Sequence, residues 1–249
     1  MKTVTRFLVM AVMVGCFVET ALAQTADEIV EKYLSAIGGR AALAKIKSRH
    51  ATGTAAFSSP AGDLPGTIEV FAQPPNKSRT LLKLDLSLAG MGTATVDQRF
   101  DGESGYVMDS LQGNRDITGN QLENLKNAMF PSPFLDYKER GATVEFVRKE
   151  QVGGRDTFVL LLKPKAGSTL QCFIDAESSL IVKTIVVVNI PQAGGDVQQT
   201  SEFLDYRDQD GIKIPFELRN SSAVQSYTIK LTKAEHNVDL DPKMFSKPQ

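Results

Sequence analysis

Two short runs constrain this chain more than anything else in it: Phe158-Val159-Leu160-Leu161-Leu162 and Ile185-Val186-Val187-Val188. Runs of four or five β-branched, aromatic and leucine residues, bounded by turn residues, read as strands rather than helices. A strand with one wet face alternates apolar and polar side chains. These two have no polar side, so both faces of their sheet are covered or one face lines a dry cavity. They lie within Val144 to Leu218, which reads as consecutive antiparallel strands turned at Gly153-Gly154, Asp175-Ala176-Glu177-Ser178 and Asp208-Gln209-Asp210-Gly211. The clearest alternation is Ile212, Ile214, Phe216 and Leu218 against Lys213, Glu217 and Arg219.

The remaining chain adds strands and two helical stretches. Thr25 with Glu28 three residues on is a capping box. After it Ala26, Ile29, Val30, Tyr33, Leu34 and Ile37 fall on one helical face, and Gly38-Gly39 stops the helix. A second short helix is expected over Ala41 to Ile46. From Arg49 the period becomes two. Thr67 to Gln73 is a strand, Pro74-Pro75-Asn76 its turn, and Lys77 to Leu88 the return, with Leu82, Leu84, Leu86 and Leu88 on one face. Thr93 to Phe100 and Tyr106 to Met108 pair across Asp101-Gly102. Thr118 to Met129 interrupts the meander as a helix, with Leu122, Leu125 and Met129 at helical spacing, and Pro131 and Pro133 end it. No linker or low-complexity run divides the chain, so residues 24–249 read as one domain.

Residues 1–23 have the layout of a secretory signal: Lys2 and Arg6, an apolar core from Phe7 to Val18, and Ala21-Leu22-Ala23 before a cleavage site. The apolar run is too short to span a bilayer, and no transmembrane span is expected after its removal. The alternative is a lipoprotein signal cut before Cys16. Cleavage after Ala23 leaves Cys172 alone, which excludes an internal disulfide; its apolar neighbours Leu170 and Ile174 make it a small core residue. Lys+Arg is 28 against Asp+Glu 29, a net charge of −1. That balance argues against nucleic acid.

The order of these elements resembles the periplasmic outer-membrane lipoprotein carriers, the LolA-like family. The resemblance rests on the signal and first helix, the proline turn at Pro74-Pro75, the strand pair around Phe100-Asp101-Gly102, the insertion from Asn120 to Phe134, the run Phe158 to Lys165 and the hairpin at Asp175 to Ser178. It implies a mainly β, α+β fold: one curved antiparallel half-barrel covered by the N-terminal helix and an inserted lid segment, with acyl chains bound in the hollow between. It also implies an arginine beside the proline turn that holds the lid. That place is Gln73 here, with Arg79 the nearest arginine.

The candidate site follows from the leucine faces. Leu82, Leu84 and Leu86 on one strand and Leu160 and Leu162 on another are expected to line a lipid hollow, with Leu122, Leu125 and Phe130 closing its mouth. The competing reading is an ordinary core. Catalytic and metal motifs give no rival. His50 and His236 are far apart without ligand spacing and read as strand-end surface residues. Gly102-Glu103-Ser104-Gly105 is no nucleophile elbow. The Asp208-to-Glu217 spacing would put Tyr206 at the first position of a calcium loop. The functional expectation is a non-enzymatic carrier or chaperone in the periplasm, with lipid or lipidated acyl chains as partners and no cofactor. An envelope sensor or assembly partner on the same scaffold is the alternative; a lipid hydrolase ranks last.

Overall fold

Among the described residues, thirteen strands join in one antiparallel sheet, built from two meanders that meet in the middle. The structure, a computed structural model, describes residues 25–59, 62–87, 90–190 and 194–248. The expected signal peptide, its cleavage site, Cys16 and Leu88 lie outside the described residues. The first meander is β1 (Arg49–Phe57), β2 (Leu64–Gln73), β3 (Lys77–Asp85), β4 (Thr93–Phe100), β5 (Gly105–Asp109) and β6 (Arg115–Ile117). The second is β7 (Thr143–Val152), β8 (Arg155–Lys163), β9 (Leu170–Asp175), β10 (Ile181–Ile190), β11 (Gly195–Gln209), β12 (Ile212–Ser221) and β13 (Ser226–His236). Pairing of β1 with β13 fuses them, leaving β6 and β7 as the two edges. The sheet is therefore open.

Residues 118–142 run from one edge strand to the other and carry α3 (Gly119–Asn127). Such a connection must cross a face of the sheet. It shares that face with α1 (Ala26–Ala36) and the single turn α2 (Arg40–Leu43), which stops short of the expected Ile46. Thr25 caps α1 as its sequence requires: its hydroxyl accepts from Glu28 N at 3.2 Å, and its own N donates to the Glu28 carboxylate at 3.1 Å. The helix then buries Ile29, Val30, Tyr33 and Leu34 against Leu160, Cys172, Ile174, Ile212, Ile214 and Phe216 of the second meander. Phe134 and Tyr137 of the crossing segment complete this core, with Phe134 edge-on to Tyr33 at 5.5 Å. Gly38 permits the docking. At φ +124°, a Cβ there would meet the Gly211 carbonyl at 2.5 Å, where the β11–β12 turn seals the helix end.

Register fixes which residues share this inner face. One row of cross-strand partners reads Phe146, Leu160, Cys172, Thr184, Ser201, Asn220, Tyr227, Phe57, Leu64 from β7 to β2. A neighbouring row reads Leu84, Gly66, Ala55, Ile229, Leu218, Phe203. Partners across a ladder point the same way. The leucines of β3 and of β8 therefore lie on one continuous face, although they belong to different meanders.

Among the described residues, no second layer of helix or strand covers the outer side of the apolar strands. Val159 and Phe173 are nonetheless buried, because their row continues into Arg148 on one side and Lys183 on the other. The Lys183 Nζ sits 4.8 Å from the Phe173 ring centroid, and such long stems exclude water while their charges remain wet. On β10 the cover fails, and Val187 stays 43% exposed. Asp97 lies on this outer face as well, opposite Leu81. It is buried between Arg79 and Arg99, each at 2.8 Å, beneath a C-terminal 3-10 turn (Pro242–Phe245) that packs on β3 and β4.

The two leucine faces should respond differently to truncation. Leu160 is fully buried in the core and Leu84 is half-exposed. Leu160→Ala should cost about 2–5 kcal/mol in urea unfolding, and Leu84→Ala less than half as much. Equal losses would mean that β3 is as tightly covered as β8.

Candidate functional site

The inner face is not filled everywhere. Between β8–β12 and the crossing segment lies a cavity of about 590 Å³. Its sheet wall is made by inward positions of successive strands: Leu162, Leu170, Ile181, Thr184, Val186, Val188, Phe203, Ile212 and Ile214. Period-two alternation puts these side chains on one side, which is why the wall is almost wholly apolar. The opposite wall comes from Tyr33 and Ile37 of α1, Leu43 of α2, and Asn124, Asn127, Ala128, Met129, Pro131 and Pro133 of the crossing segment.

That opposite wall is held mainly by polar contacts. α3 buries no residue completely. Its asparagines instead grip the β8–β9 loop. Asn120 Nδ2 and Asn124 Nδ2 donate to Ser168 Oγ at 3.0 and 3.2 Å, Ser168 N donates to Asn124 Oδ1 at 2.7 Å, and Asn127 Nδ2 donates to the Ala166 carbonyl at 2.7 Å. At its far end the segment is tied to the proline turn: Phe130 N donates to the Pro75 carbonyl at 2.8 Å and Asn76 Nδ2 to the Lys126 carbonyl at 3.1 Å. Contacts of this kind contribute about 1 kcal/mol each, far less than a buried apolar face.

Arg49 enters the cavity wall beside this tie. It faces Ala72 across the β1–β2 ladder, next to Gln73. β1 thus places an arginine close in space to Gln73 and the proline turn. Its guanidinium lies 4.9 Å from the Phe130 ring centroid, and its Nε donates to His236 Nε2 at 3.0 Å. Since Nε2 accepts, the His236 proton is on Nδ1, which faces Asp210 Oδ2 at 3.1 Å. His236 is not the surface residue expected: its side chain is 1% exposed, because β1·β13 pairing sets it directly against Arg49. Burial lowers the Arg49 guanidinium to about 10. Burial, and then Arg49, hold the His236 imidazole below its ordinary value, although Asp210 opposes both. Cys172 is fully buried in the core, and burial pushes its thiol up to about 12, so it is inert.

Of the residues expected to form the site, Leu162 lines the cavity. Leu160 lies in the core beneath it, and Phe130 packs on that core under Arg49. Leu122 and Leu125 are half-buried on α3. Leu82 and Leu84 sit on the same face of the sheet but across the β1–β13 seam, half-exposed, and Leu86 is buried at the end of β3. With half-exposed Phe57, Leu64, Tyr227, Ile229 and Leu218 they make an open apolar surface continuous with the cavity wall. Between the two regions the row turns polar at Thr184, Ser201 and Asn220. Ser201 Oγ donates to Asn220 Oδ1, leaving Asn220 Nδ2 buried without a partner.

The linkage at His236 has a definite sign. Its folded pKa lies below the ordinary value of 6.5, so the unfolded chain takes up the proton first as pH falls. The contribution of neutral His236 is complete above about pH 6.5 and is lost progressively below it, down to the lowered folded pKa. Wild-type stability should therefore fall between pH 7 and 5, and His236→Gln should flatten that slope. Parallel slopes in urea titrations of the two proteins would contradict the assignment.

No family model matches the sequence. No curated protein matches it either. Solved structures do. A LolA superfamily protein from Nitrosomonas europaea aligns with a TM-score of 0.56 at 15% identity, over 90% of this chain and 99% of that one. A DUF1329 family protein from Desulfovibrio piger gives 0.57 at 13% identity, over 90% and 98%. A domain assigned to outer membrane lipoprotein sorting, from Vibrio parahaemolyticus, gives 0.57 at 12% identity, over 88% and 94%. At these identities the likeness concerns architecture, and it extends over nearly the whole of each partner. With its single open antiparallel sheet and few helices, the chain has the LolA-like fold.

Proposed function

We propose that the protein is a non-enzymatic carrier of lipid or lipidated protein, acting in the periplasm after removal of residues 1–23, with residues 24–249 as its one domain. In this reading the sheet is a half-barrel, α1 and the crossing segment are its lid, and acyl chains occupy the space between. The observation that carries it is the cavity of about 590 Å³ walled by Leu162, Leu170, Ile181, Val186, Val188 and Ile214. That volume is in the range of small-molecule sites. Each methylene moved there from water would contribute about 0.8 kcal/mol, so a chain needs no ionic contact to be held. The polar attachment of α3 to Ser168 and Ala166 supports a lid that opens at modest cost. Arg49, stacked on Phe130, serves as its second fastening. The continuous apolar surface around Leu82 and Leu84 gives emerging chains a place to lie. No helix among the described residues is long and apolar enough to cross a membrane.

The experiment is binding of a fluorescent fatty-acyl probe. Wild type should bind it, and Val186→Trp, which fills the cavity from a half-buried position, should weaken binding by about tenfold or more, equivalent to about 1.4 kcal/mol, with little change in Tm. No binding by wild type, or unaltered binding by Val186→Trp, would contradict the proposal.

A further inference from the structure

The cavity wall holds a cation with no counter-ion. Arg79 and Arg99, likewise only partly exposed, share the Asp97 carboxylate at 2.8 Å. Burial alone would raise that carboxyl, yet the two arginines hold it below the usual range. Arg49 has no such partner. Its neighbours are an imidazole nitrogen at Nε and the Phe130 ring, and among the described residues it makes no ion pair. A guanidinium carries five N–H donors, and His236 takes only the one on Nε, which leaves those on the two Nη groups for another acceptor. A largely desolvated charge without an ionic partner is costly, and the Phe130 ring and the single bond to His236 offset it only in part. The cavity around it is biased in the same direction. The charged residues that line it are Arg49, Arg140 and Lys165 against Glu123, with Lys213 turned to the outer face of β12, in a chain whose net charge is −1. Glu123 is itself neutralised by Lys126 at 3.0 Å.

We propose that the occupant is an acyl amphiphile with a carboxylate head, which the Arg49 guanidinium takes while the chain lies along Ile181, Val186, Val188 and Ile214. This rests on the carrier reading and adds a head-group preference that apolar walls alone could not give. The carboxylate would supply the ion pair that Arg49 lacks, accepting from its Nη groups in the paired geometry that guanidinium and carboxylate share. His236 keeps its acceptor nitrogen on Nε, so the fork is presented toward the cavity.

The test compares oleate with oleyl alcohol, the same chain with a neutral head, by calorimetry on the purified, delipidated protein at pH 7.5. Wild type should bind oleate about tenfold or more tightly than the alcohol, the size of one charge-assisted hydrogen bond. Arg49→Met should erase the preference, oleate losing about tenfold more affinity than the alcohol, and Arg49→Lys should retain part of it. Oleate should also shift the His236 ring resonances of wild type where the alcohol does not, a readout that needs no variant. Equal wild-type affinities, or a preference that survives Arg49→Met, would overturn the inference while leaving the carrier reading intact. Binding of neither ligand would overturn both.

Discussion

The pairing of β1 with β13 is the contact on which the rest of the molecule depends. Two meanders of six and seven strands would otherwise be separate sheets, each with two raw edges. Their union turns the inner positions of both into a single face and leaves one connection, residues 118–142, to travel between the remaining edges. It also brings residue 49 against residue 236, so the Arg49–His236 contact exists only when the seam is formed.

That single face is covered unevenly. α1 and Phe134 fill the portion over β8, β9 and β12 with buried side chains. The portion over β10 is roofed but not filled, and the portion over β2 and β3 is left half-open. Small residues explain part of the difference. Ala51, Gly53, Ala55, Gly66 and Ala72 occupy inner positions near the seam, where larger side chains would fill the hollow. A chain selected only for stability would close such spaces. A face that is part core, part cavity and part open surface suits the proposed carriage of a long apolar guest.

Much of this was legible in the residues. The Thr25 and Glu28 pair announced α1, the alternation from Ile212 to Leu218 announced β12, and the two-faced strands called for a sheet covered on both faces or lining a dry cavity on one. What covered the outer side was not legible, because the covering comes from Arg148 and Lys183, which look like ordinary surface charges until register sets them beside Val159 and Phe173. Arg49 and His236 were missed for the same reason. Each is a lone polar residue at a strand end, and their relation spans 187 positions of sequence. The leucines of β3 and β8 were visible as faces. That they share one face, with the cavity lying nearer β10 than β3, follows from strand order and not from periodicity.

The central claim is that the space between β10 and the crossing segment receives an acyl chain. Nuclear Overhauser effects between ¹³C-labelled methyl groups of the protein and an unlabelled acyl ligand test it most directly. The account predicts contacts from the ligand methylenes to the methyls of Val186, Val188, Ile181 and Leu162, with weaker ones at Leu84 across the seam. Contacts confined to outer-face methyls such as Val187, or none at all from a ligand shown to be bound, would contradict it.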